Sequence, residues 1–448
     1  MTESDQRTMT RRRMLTVTGG AALGAALTSC SGSSTSGITK LVVVSNLGQQ
    51  RSLAMDNLFG RFHETHPKIQ IEHHDVPWDQ SHSKMIMMLA GGSPPDVMVV
   101  HHQWMAEFRA MGAIENLRSW HQGGSHVDDL NPLAYQSSQI ATAIDGEDIY
   151  GLPLEQAVRA MFYRRKWLEE LGLEPAMTRS AWRQLCESMT DPAKGRYGYA
   201  FRGGRAGYSS WWALCQEFAG TNQWFDADNK CIINSPDHVA GLSFWNDLYQ
   251  DRLSPPDSLN WGYTELVQAF WSGICGSCEQ DPEVVGTCRD HGMDESSLTT
   301  AVMPAGPKAR VAMPGIFFLS MAAGSKNKDA AWEFISFATA PEQVLPYCKE
   351  VGIIPPVRQG INDPLFNQGL FRPFMEMVND PEILVDWAPG YLPEMAEFLE
   401  VETMVEQQKM LLKRQSPQET LERLADYMTR AQKRYVDKNG PDTPRPLV

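Results

Sequence analysis

The stretch LVVVSNLGQQRSLAMDNLFGRFHETHPKIQI, residues 41–71, decides the fold class. Residues 41–45 are a β-branched run that predicts a strand, and apolar residues then recur at near-helical spacing up to Pro67. Residues 69–71 alternate apolar and polar side chains, which predicts a second strand. The stretch therefore predicts a strand, a loop, a helix and another strand.

The same alternation continues along the chain. Helices are predicted over 85–89, 211–218, 238–249 and 394–412, and strands over 97–100 and 197–201. Because strands alternate with helices, we expect an α/β fold whose sheet is parallel and wrapped on both faces. A final helix is predicted to begin at Ser416-Pro417-Gln418-Glu419, a capping box with proline at the first helical position.

Residues 1–29 predict an export signal outside the fold. Arginines at 11–13 precede Met14 to Thr28, an uncharged run too short to span a bilayer in a mature protein. Arg11-Arg12 followed by Met14-Leu15 resembles the twin-arginine export motif, with Met14 where phenylalanine is usual.

Leu27-Thr28-Ser29-Cys30 resembles a lipobox, so we expect a diacylglycerol on the Cys30 thiol. The alternative is a coincidental cysteine beside an ordinary signal peptide. Residues 31–37 are serine, glycine and threonine, so residues 30–38 are expected to be the lipidated cysteine and a flexible linker. No other run is long and apolar enough to cross a membrane, so residues 39–448 are expected at the outer face of the cytoplasmic membrane.

The composition bounds the remaining chain. About 410 residues predict two lobes, since single cores stop growing near ~250–300 residues. The full chain has a net charge of −14, and without the four arginines and two acids of residues 1–29 it has −16. Nucleic acid and anionic lipid headgroups are poor partners for that charge. The 13 tryptophans suit a ligand that is part apolar and part hydroxylated.

The spacing of certain cysteines and the number of histidines suggest metal binding as an alternative function. The cysteines beyond Cys30 are Cys186, Cys215, Cys231, Cys275, Cys278, Cys288 and Cys348. We expect buried thiols with room for one disulfide, because a twin-arginine substrate folds before export in reducing conditions. Cys275, Cys278, Cys288 and His291 have a spacing that zinc sites use. The seven histidines between His63 and His102 suggest a metal-binding receptor, but adjacent pairs on a strand point in opposite directions.

Several motifs in a fixed order carry a family resemblance. Tyr150-Gly151-Leu152-Pro153-Leu154-Glu155, followed by residues 161–173, resembles the carbohydrate-type, maltose-binding-protein-like extracellular solute-binding proteins (family 1) of ABC importers. Matching segments elsewhere are Pro67, residues 91–97, 112–117, 325–335 and 352–358. The order of these motifs covers nearly the whole mature chain.

The resemblance implies a two-lobed periplasmic-binding-protein fold with three hinge crossovers and a ligand cleft between the lobes. It places the crossovers near 151–155, 303–315 and 354–358, where glycine and proline supply unusual backbone angles. The first lobe is then 39–152 plus about 313–356, and the second is 153–312 plus about 357–448. It also implies a monomeric lipoprotein that delivers a carbohydrate to the transmembrane subunits of an ABC permease, with no cofactor.

Loops after the strands are where ligands of open α/β sheets bind. By resemblance, Gln49 is a polar group for a sugar, and Glu155 is a carboxylate that accepts from two vicinal hydroxyls. Tryptophans supply faces for the sugar ring. The full set of predicted ligand residues is Gln49, Asp79, His102, Gln103, Trp104, Glu155, Tyr208, Trp212, Trp261, Glu279, Asp281, Gly315, Phe317, Arg358 and Trp387. At residues 278–282 the family's Gly-Pro-Trp pattern is replaced by Cys-Glu-Gln-Asp-Pro.

Other functions remain open at this point. The chain has no nucleophile elbow, phosphate-binding loop, zinc-protease motif or dinucleotide fingerprint. Glu279 and Asp281 are a pair of carboxylates such as a glycosidase uses, but without a known separation in space they give little support to that activity. We therefore expect a binding protein and no enzyme. The preferred ligand is a neutral di- or oligosaccharide; the alternative is a glycerophosphate or glycerophosphodiester held by Arg202, Arg205 and Arg358.

Overall fold

The computed structural model describes residues 37–46, 49–121 and 125–440, and the side chains of Gln49, Gln50 and Ser125 are outside that description. The predicted export signal, the linker up to Ser36 and Cys30 lie outside the described residues. Within the part of the chain that is described, no helix is both long and apolar enough to cross a membrane.

The strands are short, and several are buried along their whole length. Their bounds are β1 Thr39–Ser45, β2 Ile69–Asp75, β3 Val97–His101, β4 Ile144–Asp145, β5 Asp148–Ile149, β6 Leu152–Ala157, β7 Ala160–Arg164, β8 Tyr197–Tyr199, β9 Cys275–Gln280, β10 Leu298–Ala301, β11 Val311–Ala312, β12 Gly315–Met321 and β13 Leu384–Val385.

Helices connect and cover the strands. Their bounds are α1 Gln49–Thr65, α2 Trp78–Ala90, α3 Met105–Ala110, α4 Ser125–Asp128, α5 Pro132–Ile140, α6 Arg165–Leu171, α7 Arg179–Met189, α8 Tyr208–Ala219, α9 Pro236–Gln250, α10 Tyr263–Trp271, α11 Val284–Asp290, α12 Lys328–Thr339, α13 Pro341–Val351, α14 Arg358–Ile361, α15 Arg372–Asn379, α16 Met395–Glu397, α17 Thr403–Leu411 and α18 Pro417–Asn439. A π-helical turn, Phe398–Glu402, joins α16 to α17.

Two sheets form the framework. The first has the strand order β2-β1-β3-β12-β6, and the second has the order β10-β7-β9-β8. We predicted a parallel sheet, but both sheets are mixed: β1 pairs in parallel with β2 and β3, and β8 with β9, whereas one strand of each sheet is reversed. In the first sheet β12 runs antiparallel to both neighbours, and in the second β7 does the same.

The reversed strands mark where the chain passes between the sheets. β6 ends in the first sheet at Ala157 and β7 begins in the second at Ala160, so the passage is Val158-Arg159, just after the predicted 151–155. The return lies between Ala301 and Gly315. A strand that enters a sheet from the edge facing the other sheet must run against strands that end at that edge. The reversal is therefore a geometric consequence of the crossovers.

The first sheet is buried on both faces. Val43, Val97 and Val99 belong to one cluster of buried side chains, and Val44 and Val100 belong to another on the opposite face. Helices α1, α12 and α13 pack together over the first face, and α3 and α5 contribute buried residues to the second cluster. A continuous apolar run such as residues 41–44 is the pattern of a strand covered on both sides.

The predicted helices are present. The segment predicted over 211–218 is α8 and that over 238–249 is α9. The last helix begins at Pro417, and its N-cap Ser416 forms the capping box with Glu419. Helices α8 and α9 approach closely at Gly241, where an added Cβ would lie 2.5 Å from the Leu214 carbonyl oxygen and 2.6 Å from the Cys215 Cα. Only glycine fits there without moving backbone.

We expect Gly241→Ala to destabilise the protein by about 1–3 kcal/mol, because the extra methyl group overpacks the α8–α9 contact. The measurement is the free energy of unfolding from denaturant titration. Gly60→Ala is the matched control. Gly60 is an exposed residue of α1, and a Cβ added there would meet no atom of another element within 4 Å, so alanine should be neutral or stabilising by up to about 1 kcal/mol. Equal losses at the two positions would contradict this assignment.

Candidate functional site

A cavity of about 810 Å³ lies between the two sheets. From the first sheet it is lined by Asn46 after β1, by His101 and the residues that follow β3, and by Gly315 at the start of β12. From the second sheet it is lined by Gln280 at the end of β9 and by the residues beyond it. The ends of strands from both sheets therefore converge on one space, as ligand sites of open α/β sheets do.

Aromatic side chains form part of the wall. Trp78 lies in the cavity wall and stacks on Trp104 with ring centroids 5.2 Å apart and planes 20° apart. Phe317 meets Trp78 edge to face at 5.8 Å. Tyr208, Tyr263 and Trp387 line the cavity elsewhere. These rings present apolar area, and the stack behind Trp78 holds its ring in place.

Buried amides in the wall have atoms without protein partners. Gln280 is 1 % exposed, and neither its amide nitrogen nor its amide oxygen has a hydrogen-bond partner within the described chain. Asn46 is also 1 % exposed; its amide nitrogen donates to the Val99 carbonyl at 3.3 Å, while its oxygen has no partner among the described residues. Both residues line the cavity. Buried polar atoms are normally paired, so these are available for a ligand's hydroxyl groups.

The two histidines at the end of β3, His101 and His102, have lowered pKa values. Burial lowers the pKa of His102 to about 4, and its Nδ1 accepts a hydrogen bond from the Ile316 backbone N–H at 3.3 Å. Burial also holds the pKa of His101 well below its ordinary value, with smaller contributions from His102 and Arg51. These imidazoles therefore act as hydrogen-bonding groups in the wall and add no charge to it.

Each arginine that lines the cavity is matched by carboxylates. Arg51 lies 3.2 Å from Glu155 and 3.6 Å from Glu283. Arg159 lies 3.9 Å from Glu279 and 4.0 Å from Asp281, and Arg202 lies 4.0 Å from Asp79.

The arginines proposed for a phosphate are therefore engaged elsewhere. Arg202 faces Asp79, the Arg205 guanidinium donates to Glu400 at 2.5 Å, and Arg358 lies outside the cavity and donates to the Leu130 carbonyl at 3.0 Å. A phosphorylated ligand would also face the carboxylates that line the cavity. The glycerophosphate alternative is not favoured.

Asp386 is a different kind of carboxylate. It lines the cavity, is 7 % exposed, and accepts from the amide of Gln216 at 2.6 Å and from the indole N–H groups of Trp212 at 3.2 Å and Trp224 at 3.5 Å. Burial raises its pKa to about 6, and the three hydrogen bonds oppose the shift only in part. No lysine or arginine of the described chain forms an ion pair with it.

Direct contacts join the two walls. The Tyr208 hydroxyl donates to the Gln103 amide oxygen at 2.6 Å. Arg205 donates to the Trp78 carbonyl at 3.2 Å as well as to Glu400, and Glu400 also accepts from the Trp104 indole at 3.2 Å. Glu400 belongs to the π-helical turn. The walls are thus held together by side chains as well as by the crossovers.

Eight predicted residues line this cavity: Asp79, His102, Gln103, Tyr208, Asp281, Gly315, Phe317 and Trp387. Six others do not line it: Trp104, Glu155, Trp212, Trp261, Glu279 and Arg358. The Gln49 side chain is outside the described residues.

The six residues away from the cavity have protein partners instead. Glu155 is fully buried, where the Tyr347 hydroxyl donates to it at 2.5 Å. Glu279 lies between Arg159 and Arg179 at 3.9 Å from each. The indoles of Trp104, Trp212 and Trp261 are buried and donate to Glu400, Asp386 and Asp257.

Sequence reasoning missed Asn46, Trp78, Gln280 and Asp386. Each adjoins a residue that was singled out. Asn46 lies three residues before Gln49, Trp78 precedes Asp79, Gln280 lies between Glu279 and Asp281, and Asp386 precedes Trp387. The sequence singled out segments that reach the cavity, but side-chain direction within them depends on the packing of both sheets.

The zinc alternative is not supported. Within the described residues no group of three or more histidine, cysteine or acidic side chains is placed to hold a metal ion. Cys275 and Cys278 are three residues apart on β9, so they point to opposite faces. All seven cysteines after Cys30 are free and buried, and no disulfide forms among them.

Comparison with known proteins identifies relatives of this chain. A family model described as bacterial extracellular solute-binding protein matches residues 48–345. A maltotriose-binding protein of Pyrococcus abyssi is 24% identical over 350 residues, which cover 78% of this chain and 70% of that protein.

Two solved structures show the same fold. Maltose-bound MalE3 of T. maritima superposes with a TM-score of 0.75 at 20% identity, covering 87% of this chain and 99% of that one. A ribitol-bound solute-binding protein of Agrobacterium radiobacter K84 superposes with a TM-score of 0.74 at 18% identity, covering 88% of this chain and 98% of that one. The predicted two-lobed fold is confirmed.

Asp386 gives this site a testable pH dependence. Its folded pKa of about 6 lies above the ordinary value of 3.8, so the folded state binds the proton more tightly than the unfolded state. That stabilising contribution is present below pH 3.8 and is lost as the pH rises through about 6. Relative to Asp386→Asn, the wild-type free energy of unfolding should fall by about 2 kcal/mol between pH 4 and pH 7. Denaturant titrations at several pH values measure this difference, and parallel curves would contradict it.

Proposed function

This chain belongs to the bacterial extracellular solute-binding proteins, and we propose that it captures a di- or oligosaccharide outside the cytoplasmic membrane and delivers it to an ABC permease. Members of this family are binding proteins, so the chain is not an enzyme. The maltotriose-binding relative and the maltose-bound and ribitol-bound structures of similar fold support a carbohydrate or polyol as the ligand class.

The observation that carries the proposal is the pairing of ring faces with unpartnered amides in one cavity. A sugar has apolar C–H faces and a rim of hydroxyl groups. Trp78 and Trp387 offer the faces, and Asn46 and Gln280 offer buried atoms that lack partners within the described chain. Leaving buried polar atoms unpaired costs about 1–3 kcal/mol each, so a hydroxylated ligand that pairs with them is selected over an apolar one.

The cavity also fits an oligosaccharide in size. Its volume of about 810 Å³ falls within the range of about 300–1,000 Å³ usual for small-molecule sites.

We propose that binding works by closure of two lobes. The first lobe would comprise 39–157 and about 315–357, which contain the strands of the first sheet, and the second lobe the strands of the other sheet. This moves the first boundary by a few residues from the predicted 152, because β6 pairs with β12 as far as Ala157. Ligand that bridges both walls would shift the population toward the closed form, which a monomer presents to the permease.

The first experiment is a thermal shift of the purified protein against sugars and polyols. Ligand at a hundred times its dissociation constant should add about 2.7 kcal/mol of stability. For the best ligand, Trp78→Ala should weaken binding by about tenfold or more, because the ring face and its apolar contact are lost. Isothermal titration measures the change.

Trp120→Ala is the matched control. Trp120 is also partly buried, lies outside the cavity and donates its indole N–H to Asp329 at 2.9 Å. Affinity should be unchanged in this variant. Loss of affinity in both variants, or in neither, would contradict the placement of the ligand beside Trp78.

We also propose that a lipid on Cys30 anchors the protein to the outer face of the cytoplasmic membrane. The lipobox-like residues 27–30 and the serine-rich linker after them support it. When the full chain is expressed in a bacterial host, the wild type should sediment with membranes and carry a diacylglycerol mass. Cys30→Ser should lose both and be recovered outside the cytoplasm in soluble form. An identical distribution of the two proteins would refute the anchor.

A further inference from the structure

Asp386 is held rigidly in the cavity wall. Its backbone N–H donates to the Ala312 carbonyl at 2.8 Å, next to the pairing of β11 with β13. The side chain is 7 % exposed, and the indoles that contact it are themselves buried. The direction of this carboxylate is therefore fixed before any ligand arrives.

One carboxylate oxygen of Asp386 accepts all of the side-chain hydrogen bonds that the described residues donate to it. Gln216, Trp212 and Trp224 all donate to Oδ1. No side chain of the described residues donates to Oδ2. Since Asp386 lines the cavity, Oδ2 is the oxygen left for a ligand.

The donors to Asp386 are electrically neutral, whereas the other strongly buried acids near the cavity face guanidinium groups. Glu155 and Glu283 share Arg51, and Glu279 lies between Arg159 and Arg179. Within the described wall, the ion pairs of Arg51, Arg159 and Arg202 are made with other carboxylates, and none is made with Asp386. A buried carboxylate favours a cationic partner, and a charge-assisted hydrogen bond is about twice as strong as a neutral one.

Two buried acceptors elsewhere in the wall also suit a ligand that donates. The Asn46 amide oxygen and the Gln280 amide oxygen are buried acceptors without partners among the described residues. Neutral His101 and His102 add no positive charge that would repel a cation. An ammonium group carries three donors and no acceptor, and sugar hydroxyls donate as well.

We propose that the ligand is a hydroxylated compound with a protonated amine, an amino sugar or aminocyclitol, and that Oδ2 of Asp386 binds its ammonium group. The inference rests on the proposed function and narrows its ligand class. Asp386 is then the residue that selects a free amine over a hydroxyl or an N-acetyl group at the same position of the ring.

Matched ligands test the inference. Isothermal titration of the purified protein compares glucosamine with glucose and N-acetylglucosamine, and the β-1,4-linked glucosamine dimer with cellobiose and diacetylchitobiose. Inositol and its monoamino derivatives form a third set. In at least one set the free amine should bind about tenfold or more tightly than its hydroxyl and N-acetyl counterparts. In Asp386→Asn that ratio should fall to about 1, since the amide offers no negative charge.

The outcomes separate this inference from the function on which it rests. Tight binding of a neutral sugar or polyol, with no preference for any amine, overturns the inference and leaves the proposed function standing. Failure of every sugar, polyol and amine to bind overturns both. An amine preference that persists in Asp386→Asn assigns the selection to another group and also overturns it.

A second measurement protects the test if the variant fails to fold. A crystal structure of the wild-type protein with the preferred amine should place its nitrogen within hydrogen-bond distance of Asp386 Oδ2. A nitrogen placed elsewhere in the cavity refutes the inference.

Discussion

Arg51 is the side chain on which the arrangement of both walls depends. It is 8 % exposed and lies between Glu155 of the first sheet and Glu283, which follows the last residue of β9 in the second. Tyr347 donates to one of these carboxylates and Tyr263 to the other. Burial raises the pKa of Glu283 to about 7 and Arg51 opposes that shift, so the three groups are mutually dependent. Removing one partner from a buried ion pair typically costs about 3–5 kcal/mol, because the remaining charge stays buried.

This constraint explains the character of the cavity above it. The arginines that line the cavity form ion pairs with carboxylates, and the lowered pKa values of His101 and His102 leave both rings neutral. A ligand therefore meets mainly amides, hydroxyl groups and aromatic rings. Such a wall discriminates by the pairing of hydrogen bonds and by contact with ring faces. Asp386 departs from this pattern, since its partners are neutral donors. The two tryptophans that donate to Asp386 pack against each other, with the ring centroids of Trp212 and Trp224 4.3 Å apart.

Local patterns were enough to predict several of the helices and strands. The apolar run at 41–45, the periodicity of α1 and the capping box of α18 are properties of adjacent residues, and the structure confirms each. The direction of β7 and β12 was not predictable in the same way. It depends on where the chain crosses between sheets, which is a long-range property. Likewise Glu155 was singled out by resemblance, yet its partners Arg51 and Tyr347 come from segments about a hundred and about two hundred residues away, and they hold it beneath the cavity.

The seven buried thiols are protected from oxidation in the folded protein and become reactive once it unfolds. Burial raises the pKa of Cys186, Cys231 and Cys288 to about 12, so in the native state they are poor nucleophiles and resist oxidation. Global unfolding exposes all seven together. In the oxidising surroundings beyond the cytoplasmic membrane, an unfolded chain can then form cross-links that the native fold does not accommodate. Outside the cytoplasm, the lifetime of this protein therefore depends on its rate of global unfolding. That rate is a kinetic property, which the equilibrium free energy of unfolding does not measure.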